Sequence, residues 1–110
     1  NVKAALPHLE RAHALAPERA TFMSNLGYAW QQQGDLAAAI DWYERALEKD
    51  PKLGSAWINL GIVRAEQGDY KAAEQSFRKA LSLDPTDPRA KANLEELKQT
   101  RAQNAAPAAK

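Results

Sequence analysis

The side chains in this sequence with the clearest chemistry are three amides. Asn25, Asn59 and Asn93 stand 34 residues apart, and each precedes a leucine. An amide side chain offers both a donor and an acceptor, so it can pair with a ligand's main chain whatever that ligand's sequence. Constellations for catalysis or metal binding are poor by comparison. His8 and His13 lie five residues apart and do not share a helix face closely enough to act as a ligand pair. None of the five glycines builds a Gly-x-Gly loop that would cradle a phosphate. Carboxylates are scattered as on a solvated surface, and no Ser, His and Asp set is visible. The expectation is a protein without enzymatic activity, cofactor or metal.

Composition narrows the partners. Fifteen Lys and Arg nearly balance fourteen Asp and Glu over 110 residues. So small a net charge leaves no electrostatic footprint for nucleic acid. The apolar residues come at intervals, with no run near the roughly 20 needed to cross a bilayer, so membrane insertion is not expected. There is no cysteine, hence no disulfide or thiolate site. Asn1 is not an initiator methionine, and any targeting segment would lie upstream of it. The compartment is left open.

What must position the amides is a repeat. Residues 17–50 align with 51–84 at twelve identities: Pro17, Asn25, Leu26, Gly27, Gln33, Gly34, Asp35, Ala38, Ala39, Ala46, Leu47 and Asp50. The frame extends in both directions. Ala5, Ala12 and Pro17 precede Ala39, Ala46 and Pro51 by one period, and Pro85 closes the second unit.

In the second unit the recurring residues are Trp57, Leu60-Gly61, Gly68-Asp69-Tyr70, Ala73, Phe77, Ala80-Leu81 and Asp84-Pro85. The first has Met23, Leu26-Gly27, Trp30, Gly34-Asp35-Leu36, Ala39, Tyr43, Ala46-Leu47 and Asp50-Pro51. This pattern resembles the tetratricopeptide repeat over about residues 1–97. Arg64, standing where Trp30 stands one unit earlier, and Pro7, inside a helical stretch, depart from it. The resemblance implies an all-α superhelix, a solenoid of antiparallel helix pairs.

The sequence then divides into residues 1–16, the second helix of a truncated repeat; 17–50 and 51–84, two repeats; 85–99, a capping helix; and 100–110, a disordered tail. The first helix of the first repeat, about 18–33, turns Met23, Leu26, Gly27 and Trp30 inward at i, i+3, i+4, i+7. Gly34 stops it and Asp35 caps the next, which buries Ala39, Ile40, Tyr43, Ala46 and Leu47. In the second repeat Trp57, Leu60, Gly61, Ala73, Phe77, Ala80 and Leu81 face inward, and the pattern demands a buried Trp57 indole. The cap turns Ala90, Leu94 and Leu97 inward, and Glu95 stands where a packing glycine stood before.

The second, sixth, ninth and thirteenth positions of each first helix fall within about 60° of one another. They are Thr21, Asn25, Tyr28 and Gln32, then Ser55, Asn59, Ile62 and Glu66, then Arg89, Asn93 and Glu96. In the resembled family this stripe lines a concave groove that binds extended peptides or partner helices, and the asparagines would be rungs of a ladder. The alternative is that each Asn stabilises the repeat by bonding a neighbouring helix or loop. Tyr28, Ile58 and Ile62 are read as an apolar contact patch beside the rungs, against partial burial between repeats. The family's carboxylate clamp for acidic chaperone C-termini is disfavoured, because Ser24 and Tyr28 stand where its first Lys and Asn would be. Arg64 either stacks on Trp30 or Trp57 or packs its stem and sends its head to water. The leading reading is a peptide- or protein-binding module within a larger scaffold or assembly protein. The alternatives are a homo-oligomer built through an open N-terminal repeat end, and a substrate-docking segment of a larger enzyme.

Overall fold

The computed structural model describes residues 19–109, with side chains as far as Asn104. The helix expected over 1–16, with Pro7, His8 and His13, lies outside the described residues. Among the described residues five helices follow one another: α1 (Arg19–Gln32), α2 (Leu36–Lys49), α3 (Gly54–Glu66), α4 (Tyr70–Leu83) and α5 (Pro88–Ala109).

Local chemistry sets the breaks between them. Gly34 and Gly68 hold φ of 84° and 85°, a left-handed turn that a Cβ would strain. The next residue caps the helix that follows. Asp35 accepts from the Ala38 N–H at 3.0 Å and Asp69 from the Ala72 N–H at 3.2 Å. The second helix of each pair ends before a proline, which drives the preceding residue out of the α region. Asp50 and Asp84 accordingly take ψ of 92° and 93°. Asp87 caps α5 through the Arg89 N–H at 2.9 Å, with Pro88 at the first helical position.

Helix α1 packs most extensively on α2, and α3 on α4; α2 then meets α3, and α4 meets α5. Gly27 and Gly61 let the pairs close. A Cβ on Gly27 would stand 2.8 Å from the Tyr43 ring and 3.1 Å from the Ala39 carbonyl oxygen. The core is continuous along the stack. Met23, Leu26, Trp42 and Ala46 fill the first pair; Ala39, Ile40, Tyr43, Leu47, Ala56, Leu60 and Val63 join it to the second. Ile58, Ala73, Phe77, Ala80, Ala90, Leu94 and Leu97 join the second pair to α5.

Two expectations, for Trp57 and for the tail, need correction, and two, for Leu81 and Arg64, are sharpened. Trp57 is half buried rather than enclosed, and its Nε1 donates to the Pro51 carbonyl at 2.8 Å, fastening the turn before α3. Trp57→Ala is therefore expected to lower stability by about 2 kcal/mol, below the ~3–5 of an enclosed tryptophan, as read from the urea midpoint. Leu81, expected inward, is also half buried, at the edge of the cluster that joins α4 to α5. Arg64 stacks on neither tryptophan. Its Nη2 pairs with Glu44 Oε2 at 3.0 Å, joining α3 to α2. Finally, α5 continues to Ala109 instead of giving way to a disordered tail at Thr100. The tail lacks bulky apolar residues but is rich in alanine, the strongest helix former. Contacts to α4 support the extension: Arg101 Nη1 lies 2.6 Å from Glu74 Oε1, and Asn104 Nδ2 donates to the Tyr70 hydroxyl at 3.5 Å.

Candidate peptide-binding groove

The first helix of each pair forms one layer and the second helix the other. Helix α3 touches both α1 and α5, whereas among the described residues α2 and α4 make no contact with each other. The stack is thus closed on the α1–α3–α5 side and splayed on the other, which makes the former the inner, concave face.

The predicted stripe lies along that layer. Thr21, Asn25, Tyr28, Gln32, Glu66, Arg89 and Glu96 are exposed; Ser55, Asn59, Ile62 and Asn93 are half buried. Among the described residues Tyr28 is the large apolar residue left most open, at 52%. Ile58 is the exception. It is 1% exposed and packs in the cluster that joins α3 to α4 and α5, so it is core and presents no contact surface. Ile62 packs at the edge of the same cluster.

The three amides are not equivalent. Asn93 Nδ2 donates to the Arg89 carbonyl at 2.9 Å, one turn back on its own helix. The side chains of Asn25 and Asn59 make no hydrogen bond among the described residues. Among the described residues, neither bonds a neighbouring helix or loop.

Behind the stripe runs a polar chain that the spacing did not reveal. The Tyr43 hydroxyl donates to Gln31 Oε1 at 2.8 Å, and Gln31 Nε2 donates to Glu66 Oε1 at 3.4 Å. Burial first, then the neighbouring Tyr28 and Glu66, push the Tyr43 hydroxyl well above the usual phenol range. The folded state therefore favours the protonated phenol. Its contribution to stability is whole below the unfolded pKa of about 10 and is lost as pH rises above it. Urea midpoints should fall between about pH 8 and pH 11, and Tyr43→Phe should lessen that fall. At neutral pH the same substitution should cost about 1 kcal/mol, one hydrogen bond. The ring itself suffices for packing, since Phe77 occupies the equivalent place one repeat later.

Between α3 and α5 the inner face opens into a pocket of about 300 Å³. Ile62, Ala65, Tyr70, Phe77 and Leu97 give it apolar walls, and Glu66, Asn93, Glu96 and Thr100 add polar groups. Thr100 is the thirteenth position of α5 and continues the stripe; ending the helix at 99 hid it. Among the described residues no cluster of acidic, His or Cys side chains could hold a metal ion. No helix there is long and apolar enough to cross a membrane.

Comparison with known proteins agrees with this architecture. No curated protein matches the sequence significantly. Solved structures do match. The first TPR of Spaghetti (RPAP3), bound to the HSP90 peptide SRMEEVD, has a TM-score of 0.82 at 18% identity, covering 92% of this chain and 80% of that one. The TPR domain of Arabidopsis OM64 has a TM-score of 0.79 at 28% identity, with 89% and 81% covered. MamA has a TM-score of 0.81 at 24% identity; it covers 92% of this chain, which spans 55% of MamA's. The family model described as tetratricopeptide repeat matches residues 18–86. With more than half its length matched and two helix pairs stacked in the family's manner, the chain belongs to the tetratricopeptide repeat family.

Proposed function

We propose that this chain is a non-enzymatic protein-interaction module whose concave face takes an extended peptide or partner segment, as part of a larger scaffold or assembly protein. The observation that carries the reading is the state of Asn25 and Asn59. Both stand on the inner stripe, and neither amide is engaged by the described residues. An amide with no partner inside the fold has its donor and acceptor available to a ligand backbone. Spaghetti, with the same fold, binds a peptide ending in acidic residues. In the clamp that the resemblance describes, the places of the first Lys and the first Asn are taken here by the buried Ser24 and by Tyr28, and Arg89 alone is not a clamp. A segment of that acidic class is therefore disfavoured.

The double substitution Asn25→Ala/Asn59→Ala should abolish capture of a partner from native extract. Helicity should hold and stability should move by no more than about 0.5 kcal/mol, as for other surface sites. A sharp drop in melting temperature would instead assign the two amides to the fold.

A further inference from the structure

We infer that the pocket between α3 and α5 takes an apolar side chain of the bound segment, and that a lysine or arginine of that segment lies beside it. The inference rests on the groove reading above and names the chemistry of its ligand. The pocket's volume of about 300 Å³ is at the lower end of ligand sites, on the scale of an anchoring side chain. Its floor is rigid, because Phe77 is 2% exposed and packed between α3 and α5. Shape alone would accept many segments; charge selects among them.

Glu66 and Glu96 stand at the pocket, one from each helix. Neither has an ion-pair partner among the described residues, and Glu66 accepts only the long bond from Gln31. Glu48 and Glu95 are likewise unpaired among the described residues, but neither lines this pocket, and two of the other carboxylates are neutralised. Glu44 is held by Arg64, and Glu74 by Arg78 and Arg101. Those pairs also occupy the arginines of α3 and α4 and one from α5. Arg89 belongs to the same stripe, but it lies seven residues before Glu96, about 10 Å along the helix. A carboxylate entering the pocket would meet two like charges, whereas an ammonium or guanidinium beside the anchor would meet two acceptors.

The test is selection of a random twelve-residue phage-displayed library on the whole chain, with counter-selection on the Asn25→Ala/Asn59→Ala variant so that survivors need the groove. Enriched sequences should carry Lys or Arg within three residues of a Leu, Ile, Met or Phe. In a synthetic copy of the leading sequence, Lys→Gln should weaken binding about fivefold at low salt, the scale of one exposed ion pair. That difference should shrink in about 0.5 M salt. A Glu66→Gln/Glu96→Gln chain, altered only at exposed positions, should bind both peptides alike. Groove-dependent sequences that are acidic or neutral, or discrimination that survives in the Gln chain, would overturn the inference and leave the groove reading standing. If no enriched sequence depends on the groove, both fall.

Discussion

Phe77→Ala is expected to lower the stability of the chain by about 3–5 kcal/mol, the range for deleting an enclosed phenylalanine. For a domain of this size that is a third or more of a total of about 5–15 kcal/mol. The ring touches three helices' worth of structure. It lies against Gly61 of α3, belongs to α4, and shares a cluster with Ala90, Leu94 and Leu97 of α5. It also walls the pocket, so the void left by its removal would merge with existing open space and the surroundings would have little to collapse onto. The loss should be unevenly distributed, because repeats hold chiefly to their neighbours. Urea unfolding gives the size of the effect, and amide hydrogen exchange gives its place. Protection should fall first in α4 and α5 while α1 and α2 keep most of theirs. Uniform loss along the chain would show that the stack unfolds as one unit. A change under about 1 kcal/mol would mean that Phe77 does not tie these helices together.

The same non-local character separates what the sequence discloses from what it hides. Helix ends are written in short strings: Gly34-Asp35 and Gly68-Asp69 stop one helix and start the next, and Asp50-Pro51 and Asp84-Pro85 end the pairs. The stripes that bury Leu26, Tyr43, Ala73 and Leu94 follow from helical spacing. Trp42 and Ile58 do not. Each is buried by residues distant in the chain: Met23 and Leu26 of α1 for Trp42, and the α4–α5 cluster for Ile58. Trp57 errs the other way, because position in the repeat predicts enclosure while the rim between α2 and α3 leaves it half open. The groove divides similarly. Its stripe was legible as an angle, but the pocket depends on how α5 lies against α3, and on Phe77 reaching it from α4. That one rung bonds its own helix while two stand unengaged is a property of side-chain conformation, to which spacing is blind.

Two glycine substitutions in α3 should act with opposite sign. Gly61→Val is expected to destabilise the chain by about 3 kcal/mol, toward the upper end for overpacking. A Cβ there would stand 2.5 Å from Phe77 Cε1 and 2.7 Å from Cδ1, closer than real contacts allow. The ring could move away only toward the pocket it lines, giving up its packing against Ala90, Leu94 and Leu97 of α5. Valine gains little from helix propensity to offset the clash, because its branched carbon is itself a poor helix former. Gly54, at the start of the same helix, has no atom within 4 Å of the position a Cβ would take, and its φ is not positive. Gly54→Ala should therefore stabilise by about 0.5–1 kcal/mol, through the lost flexibility of the unfolded chain. Urea midpoints at constant slope measure both. A double-mutant cycle isolates the cause. Phe77→Leu, which vacates the ring's far edge, should be destabilising alone yet recover part of the loss when combined with Gly61→Val, by about 1 kcal/mol or more of coupling. Strict additivity of the two would show that Gly61 is small for a reason other than the aromatic ring across from it.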